Sequence, residues 1–545
     1  MKRIVSLSLA FLLLCGALTA CGKTQGEGPA QPEAPAQAAS GELVLSGEAL
    51  RSDYVTDDNA RVFYEIFVGS FSDSDGDGVG DLRGIINRMD YLNDGDPNSG
   101  LSLGVEGLWL SPIFSSPSYH KYDVADYYSI DPAFGTMEDL QELLDLCHER
   151  NVIVILDLPI NHTSSRNEWF KRFTEAHRSG DEASEYYDYY SYIHKGESAP
   201  GRSFSQLAGT DLLYECNFSG DMPELNFDNP LVRQAVLDAA SFYIEMGVDG
   251  FRFDAAKYIY FGDNGRSSDF WVWYLGQLRA LKSDLYTVAE VWDSDGVTDV
   301  YYPATNCFDF TLSQSGGLIA ETAKAGPVSR YTSYIQDYLD RVRTLRPDAM
   351  LVPFITNHDM DRASGFLTAA SGQMKVAANL YLLCCGSPFI YYGEELGMRG
   401  SRGGANTDAN RRLAMLWGDG DSVRDPVGSS YGSQAETSAA EQIGEEYSLY
   451  TYYKKLIMIR HANPEIARGD FRAVDIPGTK LGGFTSTWNG STVCVLHNTT
   501  LSEVQIDLAE AGLPFTELRA AAGVEAASLD GTLLTIGAQT SVVLR

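Results

Sequence analysis

Basic residues are scarce in this chain. Its 545 residues hold 41 Lys and Arg against 74 Asp and Glu, a formal net charge of −33. That balance argues against nucleic acid as a partner, because a phosphate backbone needs a cationic surface, and against polybasic docking to anionic lipid. It suits a neutral ligand. Cysteine is scarce too: there are eight, none in CxxC spacing. Cys147, Cys216, Cys307, Cys384, Cys385 and Cys494 are too scattered for a disulfide scaffold or a zinc site and read as small buried hydrophobes. Adjacent Cys384 and Cys385 would point to different sides of any regular element. There is no internal repeat. No apolar run suits a permanent membrane span, the one at the N-terminus being short and interrupted.

What is present begins with that leader. Lys2 and Arg3 precede an apolar run from Ile4 to Leu14, and small residues lead to Cys21. Residues 1–20 read as an export signal. Leu18-Thr-Ala-Cys21 resembles the lipobox of bacterial lipoproteins, which implies cleavage before Cys21, lipidation of its thiol and a cell-surface location. The following stretch, rich in Pro, Ala, Gln, Gly and Glu, reads as a tether through about residue 50. That lipid anchor is the only membrane contact expected, and the assembly expected is a monomer.

From there short apolar runs alternate with helix-period segments. Strands are predicted at Val62 to Val68, Val105 to Leu110, Val152 to Leu158, Gly250 to Phe253, Leu285 to Ala289, Cys307 to Thr311, Leu351 to Ile355 and Pro388 to Tyr392. Helices are predicted at Leu82 to Leu92, Thr136 to Arg150, from Pro230, and at Ser268 to Lys282 and Leu449 to His461. Polar groups recur at the C-terminal ends of the strands, where ligands bind in α/β folds. About seventy residues before Pro230 read as irregular, polar and aromatic, a connection long enough to be a small inserted domain over the active face. From about Gly469 the chain turns short, alternating and rich in Thr and Val, an all-β C-terminal domain. The fold expected is a (β/α)8 TIM barrel with an inserted B domain after strand three and a C-terminal β-sandwich. The barrel takes 51–162 and 229–466, the insertion 163–228 and the sandwich 467–545.

Two local arrangements carry chemistry. The first is Asp73-Ser-Asp75-Gly-Asp77-Gly-Val79-Gly-Asp81. Alternating carboxylates, a glycine for the sharp turn and a backbone carbonyl at Val79 make a calcium-type oxygen cage. It resembles an EF-hand loop, but Gly84 stands where the bidentate Glu would, and a strand rather than a helix precedes it. The second is Gly250-Phe-Arg252-Phe-Asp254. Arg252 and Asp254 lie two apart and share one side of a strand, and an arginine beside a carboxylate favours its ionised form.

The separations of the acids extend this. One strand-helix unit takes roughly thirty residues or more. Thirty-six positions separate Asp254 from Glu290 and sixty-nine separate Glu290 from Asp359, which places the three on strands four, five and seven. At Asp157 to His162, Gly250 to Lys257, Ala-Glu290-Val-Trp and Asn357-His-Asp359, with Met222-Pro-Glu-Leu-Asn226 and Gly386 to Glu395, residues 60 to 545 resemble the α-amylase family, glycoside hydrolase family 13. The resemblance implies Asp254 as nucleophile, Glu290 as acid/base and Asp359 as the third acid. It implies that His162 and His358 bind the sugar at the cleavage point, that Arg252 orients the nucleophile and that Tyr122 stacks on that sugar. Asp123 and Arg412 look like partners for its outer hydroxyls, and Lys257 for a leaving-group sugar. Trp109 and Trp292 read as barrel or rim packing rather than sugar platforms. Tyr258 stands where many members carry His, and Lys121 where Gly is common.

Retaining cleavage needs one carboxylate ionised and one protonated. Asp254 has an arginine in its motif and Glu290 has none, so Glu290 is expected to have the higher pKa of the two, with the carboxyls about 5–5.5 Å apart. The reading is hydrolysis of α-1,4-glucosidic bonds in starch or malto-oligosaccharides, with Ca2+ bound. The alternatives are a neopullulanase or oligo-1,6-glucosidase activity, toward which Met-Pro-Glu-Leu-Asn leans, and, in another class, a non-catalytic sugar-binding lipoprotein.

Overall fold

The computed structural model describes residues 50–368, 372–402, 408–435 and 437–545. The proposed leader, Cys21 and most of the tether lie outside them. Seven parallel strands form its centre: β1 (Phe63–Ile66), β2 (Gly107–Leu110), β3 (Ile153–Leu158), β4 (Gly250–Phe253), β5 (Tyr286–Ala289), β6 (Asn306–Cys307) and β7 (Phe389–Tyr391). They run in the order β6-β5-β4-β3-β2-β1-β7. The strands are short and apolar on both faces, as a parallel sheet covered by helices requires. One face turns inward, where Phe63, Trp109, Ile155, Tyr286, Phe308 and Phe389 fill the lumen. The other meets the surrounding helices in the main core.

The predicted seventh strand, Leu351 to Ile355, closes the ring without forming a ladder. Phe354 makes one parallel bridge to Phe389. Asp309 N donates to Val352 O (3.1 Å) on one side, while Ser387 N donates to Leu351 O (2.9 Å) and Phe389 N to Pro353 O (3.0 Å) on the other. Pro353 has no N–H to donate, so the segment accepts more than it gives. β6 is also shorter than the expected Cys307 to Thr311. The Asp309 carboxylate accepts from Thr311 N at 3.0 Å and from Leu312 N at 3.3 Å, bending the chain into a turn. The predicted helix from Leu82 is two helices, Leu82–Asn87 and Met89–Leu92, divided at Arg88.

The stretch before Pro230 is more regular than its composition suggests. It holds a three-stranded antiparallel sheet, Tyr192–His194, Phe204–Gln206 and Leu212–Glu215. It also holds a helix, Glu168–Ser179, capped by Asn167 on Trp169 N and ended by Gly180 at φ 72°. Only Phe170, Phe173 and Ala176 of that helix are buried, too thin an apolar stripe to read against its polar background.

The last part of the chain is a β-sandwich. A five-stranded sheet and a three-stranded sheet enclose their own core of Leu496, Ile506, Leu534, Val542 and neighbours. Phe471, Phe484, Val493, Val495 and Val543, on the other face of the larger sheet, belong to the barrel's main core. All six cysteines outside the leader are buried and free. The Cys384 and Cys385 sulfurs lie 4.0 Å apart rather than on opposite sides, because both sit past the helix end in a tight turn. Among the described residues, no helix is long and apolar enough to cross a membrane.

Candidate active site

The parallel register brings the acids together. Asp157 on β3 pairs with Arg252 on β4, and Phe253 with Ala289 on β5. Asp254 and Glu290 follow directly at the C-terminal ends of β4 and β5. Arg252 is fully buried and serves three carboxylates. Its Nη1 donates to Asp157 at 2.7 and 2.9 Å and to Asp254 Oδ1 at 2.8 Å. Its Nη2 lies 2.9 Å from Glu290 Oε2, and Ala255 N donates to the same oxygen at 3.1 Å. One guanidinium therefore holds both Asp254 and Glu290.

That sharing alters the expected electrostatics. Glu290 has an arginine after all, supplied across the strands. Burial pushes Asp254 up to about 6 despite Arg252, helped by the Asp157 and Asp359 charges. Glu290 is raised mainly by burial, with Arg252 opposing and Asp254 and Asp359 adding to it. A single cation divided among three acids cannot offset the desolvation of each.

Asp359 is set differently. Its Oδ1 accepts from Arg412 Nη2 at 2.7 Å, and its Oδ2 lies 3.1 Å from His358 Nε2. Burial would raise its pKa, but His358 and Arg412 overcome this and hold it well below the carboxylate range. Burial would likewise keep His358 neutral, yet Asp359 on one nitrogen and Glu65 Oε1, 2.5 Å from Nδ1, push it up to about 10. The site thus sets a cationic His358 beside three anchored acids, Asp254, Glu290 and Asp359. Tyr122 joins the two halves: its hydroxyl donates to Asp157 Oδ2 at 2.8 Å and lies 2.7 Å from His358 Nε2.

The acids open into a cavity of about 770 Å3, a size suited to a few sugar rings. Asp254, Glu290, Asp359, Tyr122, His162, Lys257 and Arg412 line it. Arg252, His358 and Asp123 stand outside its lining. Asp123 is occupied by Ser116 Oγ at 2.7 Å and by Ser118 Oγ. His162 lines the wall with both nitrogens engaged, Nε2 on Tyr122 O (3.1 Å) and Nδ1 on Asn161 Nδ2 (2.9 Å). Burial lowers its pKa to about 4, so the ring is neutral. Lys257 Nζ is held by Trp292 O and Asp293 Oδ2, both at 2.9 Å. Trp109 packs in the lumen, and Trp292, 43% exposed, stacks on Phe310 at the edge of the cavity it helps line.

Sequence reading also passed over His120, Phe218 and Asp408 in the lining, and Asp157 and Glu65 behind it. Asp157 stood inside a quoted motif, while Glu65 carried no signal beyond being an acid in an apolar strand. Lys121 has φ 66°, a backbone conformation that glycine adopts without cost. Its ammonium is pinned to Asp131 at 2.8 Å, which keeps a lysine there.

A family model described as the α-amylase catalytic domain matches residues 65–469. The chain belongs to the α-amylase family. Alpha-amylase 3 of Dictyoglomus thermophilum is 36% identical over 451 residues, covering 80% of this chain and 84% of the relative. A 4-alpha-glucanotransferase of Thermotoga maritima is 31% identical over 352 residues, 63% of this chain and 74% of that one. Among solved structures, Amy13B of Eubacterium rectale superposes with a TM-score of 0.84 at 33% identity, covering 91% of this chain and 97% of its own. The α-amylase family relatives also include an oligo-1,6-glucosidase and a neopullulanase, so the family joins hydrolases and transferases.

The acidic loop lies outside the cavity lining. Asp73, Asp75 and Asp81 each place a carboxylate oxygen within 4.8 Å of the others, a spacing that fits a hard cation. Asp77 is not in that group; its Oδ1 accepts from Val79 N at 2.7 Å. Asp73 is turned inward by backbone N–H groups of Gly76 and Gly78, both at 2.8 Å, and by Ser422 Oγ at 2.7 Å. Despite partial burial, those bonds hold its carboxyl below the ordinary range.

Proposed function

We propose that this member of the α-amylase family is a retaining hydrolase of α-1,4-glucosidic bonds in starch and malto-oligosaccharides. The carrying observation is the pair Asp254 and Glu290 on one buried guanidinium, facing the same cavity as Asp359. In this reading Glu290, raised by burial, gives its proton to the glycosidic oxygen as the C1–O bond breaks. The Asp254 carboxylate bonds to C1, and the leaving sugar departs with the proton. Water then attacks C1, Glu290 takes a proton from it, and Asp254 is released. Asp359, ionised between Arg412 and His358, holds hydroxyls of the distorted ring. Tyr122 offers its ring face to that sugar.

Turnover of maltoheptaose by Glu290→Gln beside the parent tests the assignment. The expected loss in kcat is about 10²- to 10⁴-fold. Equal rates would remove Glu290 from the chemistry and leave a sugar-binding protein. Parallel assays on isomaltotriose and pullulan separate α-1,4 from α-1,6 cleavage, and a predominance of longer products would indicate glucanotransferase action.

Calcium is proposed for the Asp73, Asp75, Asp81 loop, with the Val79 carbonyl and Asp77 completing the oxygen set. The ion would be structural, cross-linking a loop that is otherwise a concentration of like charge. Chelation with EDTA is expected to lower Tm by several degrees and added Ca2+ to restore it; an unmoved Tm would retire the site. A lipidated Cys21 and a bacterial cell-surface location complete the proposal. Metabolic labelling with a radioactive fatty acid, lost in Cys21→Ala, is the test.

A further inference from the structure

At the N-terminal mouth of the barrel, opposite the acids, lies a second cavity of about 410 Å3. Its character departs from the rest of the molecule. In a chain of net charge −33, its wall carries four guanidinium groups, Arg279, Arg343, Arg346 and Arg468, and two carboxylates, Asp58 and Asp348.

The two acids are already taken. Asp58 accepts from Arg468 at 2.7 and 2.9 Å, and Asp348 lies 3.1 Å from Arg346 Nε. Arg346 also donates to Asn306 Oδ1. Arg279 has only a neutral partner, its Nη2 donating to Thr287 Oγ1 at 3.0 Å. Arg343 has no hydrogen bond or ion pair among the described residues. Burial and the neighbouring Arg346 charge push Arg279 below the usual guanidinium range. Two half-buried cations thus face one cavity with no carboxylate paired to either, Asp348 acting on Arg279 only at a distance, an arrangement that costs free energy unless something negative arrives.

We propose that this cavity binds a phosphate-type oxyanion, as inorganic phosphate or as the phosphate group of a small sugar ester, between Arg279 and Arg343. Planar forked donors match such an anion bidentately. The volume admits the anion with one sugar ring attached. Ser283 and Asn306 on the same wall supply neutral polar groups for the remainder. The Trp488 side of the cavity belongs to the sandwich, so the ligand would bridge barrel and C-terminal domain.

The test is isothermal titration calorimetry of the full chain with inorganic phosphate and, separately, with glucose 1-phosphate, at fixed ionic strength so that screening stays constant. Saturable one-site binding is expected, weakened about tenfold or more in the double variant R279Q/R343Q, with maltoheptaose turnover unchanged in the variant. Should the double variant not fold, R343Q alone serves, since Arg343 holds no partner whose loss would unsettle the fold; weakening by a clear multiple is expected there too. Tighter binding of the ester than of phosphate would assign the sugar end to this cavity, and equal binding would assign the anion alone; either upholds the proposal. Absence of saturable heat, equal affinity in the variants, or displacement by chloride at matched ionic strength overturns it.

Discussion

Arg252 shows how much one side chain can settle. It touches Asp157, Asp254 and Glu290, so the titration of each depends on the others and the group behaves as a unit. In the proposed mechanism Asp254 must be ionised to attack, and burial pushes it up to about 6, above the ordinary carboxylate range. Protonation below that value removes the nucleophile. The acid limb of kcat/KM for maltoheptaose is therefore expected near pH 6, falling about tenfold per pH unit below it. A limb near pH 4 would mean that Arg252 keeps Asp254 ionised as a simple two-residue pair. The Arg252–Asp254 contact was legible, because alternate residues of a strand share a face. The reach of the same arginine to Glu290 was not, since cross-strand register depends on how β4 and β5 align, and that alignment is a tertiary fact. His358 and Asp123, which carried motif signals of sugar contact, stand outside the cavity lining and are held by Glu65 and by Ser116 and Ser118.

At the level of elements, type was more legible than extent. β4 was bounded from its glycine and aromatic alternation, and the helix from Pro230 from its apolar period. The seventh strand failed as a ladder because Pro353 withholds a donor, and β6 because Asp309 bends the chain. Closure there rests on the turn before β7. Gly386 has φ 81°, and a Cβ on it would lie 2.0 Å from Leu351 O. Gly386→Ala is expected to destabilise by about 1–3 kcal/mol from the backbone conformation alone, and by more from the clash, since Ser387 N must still reach Leu351 O. Urea unfolding measures it; an unchanged midpoint would mean that the ring closes without this turn. The helix at Glu168–Ser179 shows the opposite limit, a regular element whose few buried positions leave little periodicity to read.

The whole molecule was legible as an order of parts: alternating strands and helices, an insertion, then an all-β end. The sequence did not disclose that the sandwich is also a wall of the barrel. Its larger sheet presents Phe471, Phe484, Val493, Val495 and Val543 to the main core. Buried Asn379 Nδ2 on a barrel helix donates to Ala522 O and Ser541 Oγ, both at 2.9 Å. Ending the chain at Arg468 would expose that apolar face and strand those polar groups. The truncated protein is expected to aggregate, read by size-exclusion chromatography; a soluble, active monomer would mean that the sandwich is a separable appendage.

Near the other end, the acidic loop is fastened to chain made much later. Ser70 N–H and carbonyl neighbours aside, Ser70 Oγ donates to Arg412 O, Ser422 Oγ to Asp73, and Arg424 N to Gly78 O, while Arg412 steadies Asp359. A ribosome that has already made Asp254, Glu290 and Asp359 has yet to make the segment that holds Asp359 and fastens the acidic loop. Arg412 and its hold on Asp359 arrive only with that late segment, so a polypeptide still short of it lacks the completed set of side chains around the third acid.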